Sequence, residues 1–298
     1  MGTPEFSVPI LSALDSKYEV VLVISQPNRE KKKGVLIDTP VAAKAKELGL
    51  NLIQPEKINT EYECLKSYKA DMLITAAYGQ YVPTKILDLF KFKLNVHGSL
   101  LPKRRGGAPI QRSLIEGDKK TGVTIMEMVK ALDAGKMYAK REYEIDENDN
   151  STSLFEKLSI IGRDLLLNVI EDIYNNKLDG IPQNEDEATY SPNILPAEEE
   201  IDIKDSAVNI RNRVRGLAMA PGAYLNVKNV KLKIFDVDII PDNSNLTPGT
   251  VISTKKGIII KTGTDSISLK CVLLPGKKVI SGKDFANGQK IFNEGEII

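Results

Sequence analysis

Apolar residues along this chain follow two kinds of pattern, and the change comes near residue 204. In the first part, β-branched runs such as "YEVVLVISQ" (18–26), "ADMLITAAYG" (70–79) and "FKLNVHGS" (92–99) read as buried strands. Segments of helical period separate them, "TPVAAKAKELG" (39–49), closing at Gly49, and "PTKILDLF" (83–90). Strands alternating with helices predict a parallel sheet. Two more strands, "TGVTIMEM" (121–128) and "MYAKREYEI" (137–145), precede the clearest helix, "STSLFEKLSIIGRDLLLNVIEDIYNN" (151–176). There Leu154, Leu158, Ile161, Leu165 and Val169 share one face, and Ser153 with Glu156 reads as a capping box. That stripe is core.

From Gly180 to Asp202 the period dissolves into "GIPQNEDEATYSPNILPAEEEID", too polar to build a core of its own. Past a short helix in "AVNIRNRVRGL" (207–217), short strands take over: "AYLNV", "VKLKIFDV", "GTVIS", "GIIIKT" and "SISLKCVLL", separated by turn residues. The expected fold is α/β: a Rossmann-like, mostly parallel sheet with helices on both faces over 1–180, a linker over 181–203, and an OB-like β-barrel over 204–298.

Composition narrows the function classes. With 42% hydrophobic residues in 298, the chain can bury real cores. It holds no apolar run long enough to span a membrane and no basic-then-apolar leader, so a cytoplasmic protein is expected. Cys64 and Cys271 form no paired motif, and one histidine supports no metal cluster. The net charge of +1 hides an asymmetry, since residues from Lys204 onward hold 15 Lys/Arg against 8 Asp/Glu. A basic module on an acidic body points to a polyanion such as nucleic acid, although a solvated basic face is the plain alternative.

The chemistry concentrates in "NVHGSLLPKRRGGAPI" (95–110) and "KALDAGKM" (130–137). Asn95 and His97, the only histidine, are alternate residues at a strand end and project from one face. Asp133 sits in a second loop leaving a strand, and ligands bind such sheets beyond the strand ends. Taken singly, each has a structural role as its ordinary explanation. Together they suit acyl transfer without an enzyme nucleophile, since neither a Gly-x-Ser-x-Gly elbow nor a cysteine near a histidine is present. Asn95 and protonated His97 can donate to an oxyanion, and Asp133 can accept a proton from an attacking amine.

These residues closely resemble the signature of the folate-dependent formyltransferases: an Asn-x-His strand end, Ser-Leu-Leu-Pro, an Arg-Gly loop and a Leu-Asp-x-Gly loop. "GTPEFSVPIL", "SQPNR", "ITAAYGQYVP", "ATYSP", "PGAYLNVKNVKLKIF" and "GKDFANGQKI" extend the likeness over nearly the whole chain, toward the branch acting on charged initiator tRNA. The resemblance implies formyl transfer from 10-formyltetrahydrofolate to the α-amine of methionine on initiator methionyl-tRNA by a monomer without a metal. It makes Asn95, His97 and Asp133 the catalytic trio. Ser99, Leu100, Leu101 and Pro102 correspond to the substrate-pocket loop, and Ala77, Tyr78 and Gly79 to the folate side. Arg29, Lys31, Lys32 and Lys33 would meet the acceptor stem.

Three features depart from the family pattern. Arg104-Arg105-Gly106-Gly107 stands where Tyr-Arg-Gly-Ala is usual, implying a looser backbone, and lysines replace an arginine in the basic loop. Relatives also place a strand of apolar residues ahead of the Gly-Thr-Pro turn, where this chain begins at Met1-Gly2. An exposed groove in the sheet and lowered stability are expected there. A formyltransferase acting on a nucleotide-sugar amine, or a non-catalytic RNA-binding protein, are the competing readings.

Overall fold

The structure, a computed structural model, describes residues 1–31, 35–255, 257–288 and 291–298. In chain order the elements of its first half are α1 (Val8–Asp15), β1 (Val23–Ile24), β2 (Arg29–Lys31), β3 (Val35–Ile37), α2 (Pro40–Glu47), β4 (Leu52–Ile53), α3 (Tyr62–Ser67), β5 (Met72–Thr75), α4 (Thr84–Leu87), β6 (Phe92–His97), α5 (Pro109–Ile115), β7 (Lys120–Glu127), β8 (Met137–Glu144) and α6 (Ser151–Tyr174). They are followed by α7 (Ala207–Gly216), β9 (Ala223–Val227), β10 (Val230–Ile240), β11 (Val251–Ser253), β12 (Ile258–Lys261), β13 (Ser266–Leu273), β14 (Ile280–Ser281) and α8 (Gly282–Gly288). No described helix is long and apolar enough to cross a membrane.

The fold is mixed α/β. β1 pairs with β4 and β5 with β6 in parallel, whereas β6–β7 and β7–β8 are antiparallel. Among the described residues β1 and β4 thus form a two-stranded parallel sheet and β5-β6-β7-β8 a separate mixed one, less parallel than the apolar runs suggested. Such runs report burial and not direction, and the short loop between β7 and β8 can join only antiparallel neighbours. The last third forms a curled antiparallel sheet ordered β11-β12-β13-β10-β9, with β14 on β13.

The chain divides into two compact units: residues 1–109, 120–144 and 154–192, and residues 110–119, 145–153 and 193–298. The polar stretch after Gly180 is shared between them. Residues 181–192 are paired within the first unit by backbone bridges Ile181↔Met137 and Tyr190↔Arg105. Few apolar side chains are needed there, because the backbone groups themselves find partners.

In the first unit α6 lies directly behind β6 and β7. A Cβ added at Gly162 would stand 2.7 Å from Val96, so the glycine permits the close approach that supports the strand carrying Asn95 and His97. The cap of α6 lies earlier than the pattern indicated. The Ser153 amide donates to Asn150 Oδ1 and the Asn150 amide to Ser153 Oγ, so Asn150 caps and Ser153 closes the box from inside.

β1 and β5 are not paired along their length. Between them lie Met1 and Gly2: the Gly2 amide donates to Ile24 O (3.0 Å), the Ala76 amide to Met1 O (3.0 Å) and the Met1 amine to Ile74 O (2.6 Å). The rest of the interval is a groove of about 810 Å³ bordered by Val21, Val23, Met72 and Ile74.

The second unit packs Ile210 and Val214 of α7 against Leu225, Ile234, Leu269 and Phe285. Part of its basic surplus is structural. Arg211 and Arg213 donate to the carbonyls of Glu147 and Glu198, and Arg215 to those of Asp149 and Asp146. Lys255, Lys277, Lys278 and Lys283 are exposed.

Candidate active site

β6 brings the first two site residues to the sheet's end. In register, Asn95 stands beside Thr75 of β5 and Met126 of β7, and His97 beside Thr124. The Thr75 hydroxyl donates to Asn95 Oδ1 (2.8 Å), which orients the amide so that its NH₂ is free to donate. His97 is buried. Its Nε2 lies 3.0 Å from the Arg104 carbonyl, an acceptor only, so Nε2 carries the proton and Nδ1 faces Asp133 Oδ2 at 3.7 Å. That separation suits an ion pair and exceeds a hydrogen bond.

The Asp133 loop is tightly constrained. Asp133 Oδ2 accepts from the Gly106 amide (2.8 Å), and the residue holds a left-handed φ of 47°. A Cβ at Gly135 would stand 2.0 Å from Glu127 O, so only glycine lets the chain turn this closely past β7. His97 and Asp133 thus face one another at the end of β6, with Asn95 two residues earlier on the same face of that strand.

The loop after β6 is a fixed wall. Ser99 Oγ donates to Lys103 O, Thr124 Oγ1 donates to Ser99 O and accepts from the Leu101 amide, and Lys140 Nζ donates to Leu101 O. Leu101, in a cis peptide with Pro102, packs on Met126 and Met137. Ser99 and Pro102 are buried, and Leu100 is half-buried. The looseness expected of Arg104–Gly107 is absent. The Arg104 amide donates to Thr189 Oγ1, the Arg105 amide to Thr189 O and the Ser191 amide to Arg105 O, so residues 189–191 stitch the loop in place. Arg105 is 2% exposed and bonds Glu185 through Nη1 and Nη2 (2.9 and 2.8 Å), a hydrogen-bonded pair that holds the Glu185 carboxyl below its ordinary range.

Of the segment read as the folate side, Ala77 and Gly79 offer backbone, with φ of 46° and 85°. The Tyr78 ring turns into the core among Ile24, Ile58, Leu73 and Ile86, where burial first and Glu61 second push its phenol up to about 12. Arg29 and Lys31 enter the β2–β3 ribbon, and Lys32 and Lys33 lie outside the described residues. Among the described residues no group of three or more His, Cys, Asp or Glu is placed to hold a metal.

Residues 1–170 match the model of the formyl transferase family, and residues 193–290 match that of its C-terminal domain. This chain belongs to the formyl transferase family. It is 43% identical over 295 residues to the methionyl-tRNA formyltransferase of Lactobacillus acidophilus, covering 97% of this chain and 94% of that protein. Against the methionyl-tRNA formyltransferase of Bacillus velezensis the identity is 44% over 298 residues, covering 98% and 94%. Among solved structures, the N-formyltransferase from Helicobacter canadensis, crystallised with folinic acid and dTDP-3-aminofucose, shares the fold at a TM-score of 0.68 and 18% identity, covering 90% of this chain and 97% of that one. HypX from Aquifex aeolicus, in complex with tetrahydrofolic acid, matches at 0.61 and 18% identity, covering 80% of this chain and 42% of the larger protein.

Thr75 and Gln183 stand in this formyl transferase site without having been singled out from sequence. Thr75 carried a weak signal, as a polar residue inside the run "MLITAA". Gln183 carried none, because it sits in a stretch whose composition reads as linker.

Proposed function

We propose that the chain transfers the formyl group of 10-formyltetrahydrofolate to the α-amine of methionine on initiator methionyl-tRNA. The observation that carries this reading is the convergence of the Asn95 amide, the His97 ring and the Asp133 carboxylate, in a chain so similar to the methionyl-tRNA formyltransferases. An α-amine has a reference pKa near 8, so a useful share is neutral at about pH 7. Its nitrogen attacks the formyl carbon, and the carbonyl electrons move onto oxygen. The Asn95 NH₂ and His97 Nδ1–H donate to that oxyanion; with Nε2 committed to Arg104, Nδ1 donates only in the imidazolium, whose counter-charge is Asp133. Asp133 takes the amine's proton, directly or through water. The carbonyl then reforms and the carbon–N10 bond breaks as N10 receives the proton held by Asp133, directly or through water, so tetrahydrofolate leaves and Asp133 is again a carboxylate.

The wall of Ser99, Leu100, Leu101 and Pro102 and the backbone of Ala77–Gly79 suit the folate, offering an apolar surface beside backbone groups. In this reading residues 1–180 are a Rossmann-like catalytic domain, 181–203 a connection, and 204–298 an OB-like domain that binds tRNA. Arg29, Lys31, Lys32, Lys33 and the exposed Lys255, Lys277, Lys278 and Lys283 would meet phosphates, setting affinity and orientation. The enzyme acts in the cytoplasm as a monomer.

The test is formylation of charged initiator tRNA by the purified chain with 10-formyltetrahydrofolate, beside a nucleotide-linked amino sugar and beside His97→Ala. Transfer to the tRNA is expected, with His97→Ala slowed roughly 10²- to 10³-fold. Preference for the sugar amine would replace the substrate assignment, and an undiminished His97→Ala would remove the histidine from the chemistry.

A further inference from the structure

Gln183 touches both loops that carry the site. Its Oε1 accepts from Arg105 Nε (3.0 Å) and Nη2 (2.9 Å), and its Nε2 donates to the carbonyls of Asp133 (2.7 Å) and Gly135 (2.8 Å). A guanidinium only donates, so Arg105 fixes which end of the amide faces it and leaves the NH₂ to the two carbonyls. The Asp133 carboxylate meanwhile accepts from the amide of Gly106, the residue after Arg105. The bonds close a ring: Gln183 to the Asp133 backbone, Asp133 to Gly106, and back through Arg105 to Gln183. Arg105 is anchored outside the ring by Glu185 and by backbone pairing with Thr189 and Ser191.

We propose that Gln183 is a positioning residue for formyl transfer, holding the left-handed Asp133 turn so that its carboxylate faces His97 Nδ1. The proposal rests on the function given above. Because it acts through Asp133, Gln183 influences the step at which the amine loses its proton more than it influences binding of either substrate. Misplacing a catalytic group by about an ångström is worth on the order of 100-fold in rate.

Two variants test this. Gln183→Met removes both sets of bonds. Gln183→Glu keeps an oxygen toward Arg105 and presents a second oxygen, not a donor, to the carbonyls of Asp133 and Gly135. In both, kcat for formyl transfer is expected to fall roughly 10- to 100-fold with KM for each substrate little changed. A rise in KM at unchanged kcat, or no change in either, would overturn the proposal. Circular dichroism checks folding, and if Gln183→Met does not fold, the near-isosteric Gln183→Glu decides. A second readout needs no turnover: the single histidine gives one pair of imidazole ¹⁵N resonances. Loss of Gln183 is expected to displace the Nδ1 resonance facing Asp133 and to leave Nε2, held by the Arg104 carbonyl, in place. An unmoved Nδ1 resonance also overturns the proposal. Absence of transfer by the unaltered chain would instead sink the functional reading, with the resonances still judging the positioning role.

Discussion

The loops that meet at His97 and the interval between β1 and β5 lie in the same unit and are held in opposite ways. Around His97, Thr75 bonds Asn95 of the neighbouring strand, and Thr124, Lys140, Gln183 and Thr189 each bond a loop from a distant part of the chain. Between β1 and β5, Met1 and Gly2 bridge two apolar edges, and a groove of about 810 Å³ borders them. Polar cross-links cost little when every group is paired, and they fix geometry in a way apolar contact does not. Rigidity therefore gathers where an oxyanion would be bound, while the middle of the sheet depends on burial that is incomplete.

The sharpest way to break this contrast is to loosen the rigid side. Gly135→Ala would force a Cβ to within 2.0 Å of the Glu127 carbonyl, which belongs to a paired strand and cannot move aside cheaply. The Asp133 turn must shift instead, and kcat for formyl transfer is expected to fall on the order of 100-fold. A variant with unaltered kcat would show the Asp133 loop to be as adaptable as the groove.

The same contrast explains what could be read from the amino acids in advance. β6, β7, β8, α6 and the strands of the last third lie where period and β-branching put them, because their side chains contact a core on at least one face. "YEVVLVISQ" looks like a long strand, yet only Val23 and Ile24 pair as one, since a strand is completed by its neighbours and not by its own composition. Strand direction was illegible for a related reason, as burial is the same whichever way a partner runs. Asn95, His97 and Asp133 could be picked out because their chemistry is unusual at strand ends. Gln183 could not, because it acts through backbone carbonyls, and any polar stretch contains residues able to do that.

A milder change tests the other side. An extended, β-branched pentapeptide fused ahead of Met1 would lie along the edges that now border the groove, beside Val21, Val23, Met72 and Ile74. Burying each large side chain contributes about 1.5–3 kcal/mol, offset by about 1–2 kcal/mol of ordering per residue. Thermal unfolding is expected to move up by roughly 2–4 °C for each net kcal/mol. Measured at about pH 8 or above, where the buried Met1 amine carries no penalty, a fused peptide of Gly and Ser should leave the midpoint where it was; equal midpoints for both fusions would mean that the groove admits no strand.

The smallest effect concerns the amine that stands at the groove's end. Burial lowers the Met1 amino group from 8.0 to about 5, so the unfolded chain binds this proton between those values and the folded chain does not. Stability from this group is then full above about pH 8, falls as pH drops from 8 toward 5, and changes no further below. The carboxylate of Glu198, held low first by its hydrogen bond with Arg112, acts in a separate window: it contributes above its unfolded value near 4.5 and is lost only on further acidification. Unfolding followed between pH 5 and 8 in this chain and in the fusion, where every other group is common to both, therefore isolates the amine. Fusing the apolar peptide ahead of Met1 turns that amine into an ordinary peptide nitrogen, so the slope of midpoint against pH should flatten in the fusion. An equal slope in both chains would assign the pH dependence to other groups and leave the groove without electrostatic cost.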